Sequence, residues 1–115
     1  MNILDKLKAV LGMDEIKLGF MPAKPDAIIA LFEYPATLPN HFFGGTDFVY
    51  NVQVRVRDKT AAVAYSRAEA IANMLNRYHD SEISVIQSTP ILDIGCDSAN
   101  PQRWEYTVNF EVRRY

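Results

Sequence analysis

Histidine and cysteine, which often act as general bases and nucleophiles, are rare in this 115-residue sequence. The histidines are His41 and His79, and the only cysteine is Cys96. A cysteine becomes a nucleophile when a histidine activates it, and such partners can meet in space although they are distant in the chain. Only Asp97 adjoins Cys96, so the local sequence indicates no such pair. We expect no catalytic residues, and a Cys–His enzyme remains the remote alternative.

Metal and phosphate sites are also not indicated. Asp80, Asp93 and Asp97 could offer carboxylates, but their spacing is not that of a calcium-binding loop. A single cysteine excludes both an intrachain disulfide and the usual zinc site built from several thiolates. The glycine pair in "HFFGGTD" lacks a Walker lysine and the GxGxxG pattern. The sequence therefore predicts no cofactor and no metal.

The composition indicates an ordinary soluble domain, with 49% hydrophobic and 23% charged residues. A net charge of −2 argues against a dedicated nucleic-acid-binding protein, which usually has a basic excess. No apolar run approaches the roughly 18 residues that span a bilayer. Asp5, Lys6 and Lys8 interrupt the first turns, so a signal peptide is not expected. We predict a soluble protein that is made and assembled in the cytoplasm, without membrane partners.

Two helices are predicted from apolar residues at helical spacing. The first is a short amphipathic helix over residues 1–12 that ends at Gly12. It either docks on the core or packs against a neighbouring subunit or a membrane. The second covers residues 61–78, with Asp58 or Thr60 as its N-cap. Its apolar stripe is rich in alanine, so it can lie close to a sheet.

Strands are predicted over residues 27–34, 48–57, 83–87, 91–95 and 104–115. The first is almost continuously apolar, which favours an interior position in a sheet. Pro90 indicates a kink, a bulge or an edge between the third and fourth strands. The proline-containing lead-in "GFMPAKPD" is predicted to be an extended linker.

A long loop over residues 35–47 separates the first two strands, and loops of this length are often functional. Phe42 and Phe43 either cap the core or project into a partner. Helices and strands do not alternate regularly along the chain. We therefore predict one α+β domain over residues 1–115, with a mainly antiparallel sheet of about four to five strands and helices packed on one face.

The strands over residues 48–57 and 104–115 share one design, in which large apolar residues alternate with polar ones. If the two strands lie side by side and antiparallel, Glu105 and Glu111 could face Arg55 and Arg57. This polar face is either solvated, in contact with another subunit, or in contact with DNA. Its mixture of acidic and basic residues makes DNA the weakest of the three alternatives.

Three stretches together resemble one family. They are "GFMPAKPDAIIALFEYPATLP", "FVYNVQVRVRDKTAAVAYSRAEAIANML" and "PILDIGCDSANPQRWEYTVNFEVRRY". Their order and spacing resemble the minor capsid or tail terminator proteins of tailed phages, namely siphophages and prophages. The resemblance covers roughly residues 15 to 115, and none of its motifs is catalytic.

This resemblance implies a structural, non-enzymatic protein of the virion. Such proteins form rings, typically homohexamers, that cap the completed tail tube, stop its polymerisation and present a surface to the head connector. The implied partners are other copies of the chain, the tail-tube protein and the head-connector protein. DNA would pass through the ring without tight binding. The implied location is the tail, at the head–tail junction, after assembly in the host cytoplasm.

Six residues are our candidates for subunit or tube contacts. Arg55, Arg57, Glu111 and Arg113 would set register and specificity, because arginine binds carboxylates with two hydrogen bonds. The other two, Phe42 and Phe43, would be apolar anchors. The alternatives are a small non-enzymatic module that binds a peptide or ligand, and a head–tail joining protein one layer higher.

Overall fold

The computed structural model describes residues 2–13, 15–34, 48–97 and 103–115. The helices are α1 (Ile3–Leu11) and α2 (Ala61–Leu75). The strands are β1 (Lys17–Leu18), β2 (Ile28–Tyr34), β3 (Phe48–Asp58), β4 (Ile83–Gln87), β5 (Leu92–Asp97) and β6 (Arg103–Arg114). The predicted helices and all five predicted strands are confirmed, with bounds that shift by a few residues. The predicted loop over 35–47 lies outside the described residues.

The strands form one six-stranded sheet in the order β1-β2-β3-β6-β4, with β5 also paired to β6. Strand β6 is central, with β3 along one side and β4 and β5 one after the other along the opposite side. The predicted number of strands, about four to five, is too low. The prediction did not include the two-residue strand β1, which pairs in parallel with β2. The sheet is therefore mixed, although its other four pairings are antiparallel.

Both helices pack on one face of the sheet, which we call the inner face. Val52, Val54 and Val56 of β3 alternate towards it and are fully buried. Val108 and Phe110 of β6 lie opposite Val54 and Val52 and are equally buried. Each such side chain contributes about 1.5–3 kcal/mol when it leaves water, so the two long strands fix the core.

Helix α2 covers the inner face with small residues. Ala64, Ala68 and Ala72 are buried together with Ile71 and Leu75. Alanine brings the helix axis close to the sheet, while the two larger side chains fill the core. Thr60 is the N-cap residue, as one of the two alternatives predicted, but its side chain makes no capping hydrogen bond.

Helix α1 docks on the core of its own chain, which confirms one of the alternatives predicted for it. Its Ile3, Leu7 and Leu11 are buried. The Asn2 side chain caps its start by accepting a hydrogen bond of 2.9 Å from the Asp5 backbone N–H. Gly12 ends it with a left-handed φ of 67°, which glycine adopts without strain.

An ion pair ties α1 to the segment before β4. The Lys6 ammonium lies 2.9 Å from the Asp80 carboxylate, which also accepts hydrogen bonds from the backbone N–H groups of Glu82 and Ile83 and from the Tyr78 hydroxyl. These donors, Lys6 foremost, hold the pKa of Asp80 well below its ordinary value. The same contact raises the pKa of Lys6.

The interruption at Pro90 is a break in one edge of the sheet, as predicted. Strands β4 and β5 both run antiparallel to β6, and residues 88–91 leave the ladder between them. Across the break, the Ser88 N–H donates to the Asn109 carbonyl at 2.8 Å. The Thr89 hydroxyl accepts from the Asn109 N–H at 3.0 Å. A side chain thus replaces the missing backbone partner of the central strand.

Candidate assembly surface

The outer face of the sheet, opposite the helices, carries most of the predicted contact residues. The polar residues of β3 lie on this face, and the polar residues of β6 lie directly opposite them. The register pairs are Val49 with Arg113, Asn51 with Glu111, Gln53 with Asn109, Arg55 with Thr107 and Arg57 with Glu105. Two strands of matching period are enough to build this polar face, because alternate residues of paired strands share one side.

Arg55 forms the central ion pair of the outer face. Its Nε and Nη2 atoms lie 2.9 and 2.8 Å from one oxygen of Glu105, a diagonal neighbour across the ladder. The guanidinium also stacks over the Phe32 ring, 5.4 Å from its centroid. The Arg55 side chain remains one-third exposed. It is held in place and its charge remains accessible to solvent.

Arg57 has a different environment from that expected of a surface residue, because only 7% of it is exposed. Its Nη2 donates to the carbonyls of Pro22 and Pro25 at 2.7 and 2.8 Å. Longer bonds of 3.3 Å reach the carbonyls of Ala23 and Asp26. Arg57 therefore holds residues 22–26, which we call the proline segment, against its own sheet.

A second arginine fixes the same segment from β6. Arg103 donates to the Ala23 carbonyl at 2.6 Å and lies 3.9 Å from the Asp26 carboxylate. The proline segment thus crosses one end of the outer face. This explains why Ile28 and Ala30, which lie on that face opposite Arg57 and Arg55, are buried.

Glu111 and Arg113 lie towards the other end of the outer face. Glu111 is opposite Asn51 in the register, so the expected contact of Glu111 with Arg55 or Arg57 is wrong. Six residues of strand separate it from Glu105, a distance of about 20 Å. Together with Ser84 and Ile86 of β4, Glu111 and Arg113 line a shallow groove of about 140 Å³.

The structure therefore divides the predicted residues into groups. Arg55 and Arg57 lie together at the end near the proline segment, while Glu111 and Arg113 lie together near β4. Phe42 and Phe43 lie outside the described residues. Arg57 differs from the others because the proline segment covers it, so a substitution there acts on folding before it acts on any contact.

A recess of about 420 Å³ opens beside the Arg55–Glu105 pair. Its lining residues are Met21, Arg55, Arg57, Ile94, Gly95, Cys96, Arg103 and Glu105. Three guanidinium groups against one lining carboxylate give this wall a net positive charge, although all three already have partners within the chain. The charge favours an anionic group over a cationic one.

Exposed apolar residues follow the β4–β5 edge, and the sequence reasoning did not identify them. Ile86, Leu92 and Ile94 are 62%, 40% and 54% exposed. The sequence does contain an indication of them. The stretches "ISVIQ" and "ILDIG" have more apolar residues than can lie on the one buried face of an edge strand. Large apolar side chains grouped at a sheet edge are typical of contact surfaces.

The remaining candidate groups are isolated in the part of the chain that the structure describes. Cys96 is exposed with a free thiol, and His79 is exposed. Among these residues, no group of three or more histidines, cysteines or carboxylates could hold a metal ion. None of the described helices has the length and apolar character needed to cross a membrane.

Comparison with known proteins gives two kinds of result. The family model described as bacteriophage tail terminator protein matches residues 5–115. No curated protein sequence is significantly similar to the chain.

Solved structures show the same fold at low identity. One is a chain from the virion of a native gene transfer agent particle, with 15% identity and a TM-score of 0.55, over 94% of this chain and 83% of that one. A second solved chain, whose name states no function, has 14% identity and a TM-score of 0.51, over 96% and 86% of the two chains.

Proposed function

This chain belongs to the bacteriophage tail terminator family, and from that premise we propose that it is the subunit of a ring that caps the tail tube. Membership makes it a structural protein of the phage tail. The ring would stop polymerisation of the completed tube and join the tail to the head. We propose a homohexamer, as the family resemblance implies.

The observation that carries the proposal is the outer face, which is polar, charged with both signs and supported by a rigid core. A ring needs two different complementary patches on every subunit, because each copy contacts its neighbours head to tail. The two ends of the outer face differ in chemistry. One end has the Arg55–Glu105 pair and the cationic recess, and the other has Glu111 and Arg113.

We propose that Arg55, Glu111 and Arg113 contact a neighbouring subunit or the tube. Charged groups at such contacts set orientation and partner choice more than affinity. Phe42 and Phe43 are proposed as the apolar anchors beside them. Arg57 contributes by holding the proline segment, which directly follows Met21 in the wall of the recess.

The proposed partners are further copies of this chain, the tail-tube protein and the head-connector protein. DNA would cross the ring during packaging or ejection, and a chain with net charge −2 has no basic excess that would hold it tightly. The proposed location is the head–tail junction of the virion, reached after assembly in the host cytoplasm.

The direct test is the mass of the particle in solution, measured by light scattering on a sizing column over a wide concentration range. We expect a particle near six times 13.1 kDa, either for the protein alone or after mixing with tail-tube protein. Tube lengths by electron microscopy provide the second readout, because a terminator should cap tubes and stop their growth. A monomer in both conditions, with uncapped tubes, would refute the proposal.

A charge swap tests the role of Arg55. Arg55→Glu places two carboxylates together and should abolish the contact, seen as loss of rings or of capped tubes, while the double variant Arg55→Glu/Glu105→Arg restores the internal pair with reversed geometry. If both variants fold but neither forms rings or caps tubes, the orientation of the pair matters to the partner. If the single variant assembles like the wild type, Arg55 has no part in the contact.

The alternative is a small module that binds a peptide or ligand as a monomer. The observation that favours it is the cationic recess of about 420 Å³, which could hold a carboxylate-bearing group. A stable monomer that does not cap tubes, but binds acidic peptides with loss of binding in Arg55→Ala, would favour this alternative over the ring.

A further inference from the structure

The sheet ends in two different edges. Strand β5 forms one edge, where β6 is its only strand neighbour in the described part of the chain. Strand β1 forms the other edge, beyond β2. An edge strand presents unpaired backbone N–H and C=O groups, which can pair with a strand of another chain.

Both edges carry exposed apolar side chains. Leu92 and Ile94 of β5 are 40% and 54% exposed, and Phe20, two residues after β1, is 55% exposed. Strand side chains stand above or below the sheet, so pairing of the two edges would set these residues beside side chains of the neighbouring copy and cover part of each.

The charges of the two edges are complementary. Residues 91–97 contain two acidic residues, Asp93 and Asp97, and no basic one. The β1 edge has one basic residue, Lys17, and no acidic one. Opposite charges on neighbouring strands are favourable, whereas two copies of the same edge would place like charges together.

Strand direction also suits a head-to-tail contact. Strands β1 and β2 run in one direction, β3 in the opposite direction, β6 again with β2, and β5 against β6. The two edge strands therefore run in opposite directions. If copies are related by rotation about an axis along the strands, β5 of each copy meets β1 of the next in antiparallel orientation, which is slightly the more stable pairing.

Both edges are bounded along the chain. Pro90 precedes β5, and Gly19, with a left-handed φ of 82°, ends β1. Proline cannot donate to a ladder and stops further addition. The strands available for pairing are therefore Leu92–Asp97 and the shorter Lys17–Leu18, so the contact uses few backbone hydrogen bonds.

From these features we propose that β5 of one subunit pairs with β1 of the next, so that one sheet continues from subunit to subunit around the ring. This rests on the proposed function, and it specifies the surface that joins the copies. The outer face then lies on the same side in every subunit and remains available to the tube.

Cys96 makes this contact testable by cross-linking, because it is exposed on the β5 edge and is the only cysteine. We would prepare Lys17→Cys and Phe20→Cys, each with Cys96 retained, and treat them with a short bismaleimide. The matched control is Val63→Cys, on the exposed side of α2, with 45% exposure in the wild type. Cys96→Ser in the Phe20→Cys background removes one reactive end.

The proposal predicts a ladder of covalent oligomers that ends at the ring number for the β1-edge variants. Neighbours in a ring have effective concentrations of about millimolar, so at micromolar protein their cross-linking should exceed that of the Val63→Cys control by about a hundredfold. The Cys96→Ser double variant should give no ladder beyond a dimer.

Four other outcomes would overturn the proposal. Ring-sized particles with no ladder above the control would leave the ring standing and remove the edge contact. Wild-type dimers linked through Cys96 alone would indicate that two β5 edges pair about a two-fold axis. Cross-links that form only with tail-tube protein, as one-to-one adducts, would assign the edge to the tube. Monomers throughout would refute the ring as well.

Discussion

Replacing Arg57 by methionine tests whether this side chain holds the proline segment on the sheet. Methionine keeps an unbranched apolar chain but cannot donate to the carbonyls of Pro22, Ala23, Pro25 and Asp26. A hydrogen bond to a charged group contributes about 1.5–3 kcal/mol, and the two short bonds alone give about 3–6 kcal/mol. Because water can reach part of the released segment, we expect a loss of about 3–4 kcal/mol in the free energy of unfolding.

Urea denaturation followed by tryptophan fluorescence measures this loss. With a slope of about 1.5 kcal/mol per molar urea, the midpoint should fall by about 2 M. The matched control is Arg55→Met, which breaks a partly exposed ion pair and should cost about 1 kcal/mol. Equal midpoints for the two variants, or a loss below about 1 kcal/mol for Arg57→Met, would refute the reasoning.

Three further predictions concern the frame of the domain. The depressed pKa of Asp80 contributes stability that is complete above the unfolded pKa of about 4 and is lost as the pH falls below it. Asp80→Asn should therefore flatten the decline of the urea midpoint below pH 4, and parallel pH profiles would contradict this. Thr89→Val leaves the Asn109 N–H without its acceptor and should cost about 1–2 kcal/mol by urea denaturation, whereas Thr89→Ser should be nearly neutral. In Gly12→Ala, the added Cβ meets no atom within 4 Å. The variant should still lose about 1 kcal/mol of stability in thermal unfolding, because alanine is strained in the left-handed backbone conformation. An unchanged melting temperature would contradict this prediction.

Periodicity in the sequence was sufficient to predict most of the fold. The alternation of Val52, Val54 and Val56 identified β3 and its buried side, because a strand with one covered face must repeat every two residues. The alanine-rich stripe around Ala64 and Ala68 identified α2 for the equivalent reason at helical period. Pro90 correctly indicated the break between β4 and β5.

The parts that were not predicted depend on contacts between distant segments. Strand β1 has two residues, too few to show any period, and exists because Lys17 and Leu18 lie beside β2. Arg57 follows the same alternation as Arg55, so the sequence assigned both to an open face. It is buried because the proline segment, more than thirty residues earlier, folds over it.

The candidate surface was predicted in part for the same reason. Alternation correctly placed Arg55 and Glu105 on one face, and an antiparallel register brought them together. It could not show that Glu111 would lie too far along β6 to join them, because register is set by the pairing of whole strands. The contact roles of Phe42, Phe43, Arg55, Glu111 and Arg113 remain predictions.

The central position of β6 has a consequence for how the subunit matures during synthesis. Strand β6 follows all other described strands in the chain, yet it separates β3 from β4 and β5. Until it emerges, β3 lacks its main partner and β5 has no strand to pair with. The β5 edge that we propose as the contact between copies therefore forms only after β6 has been synthesised.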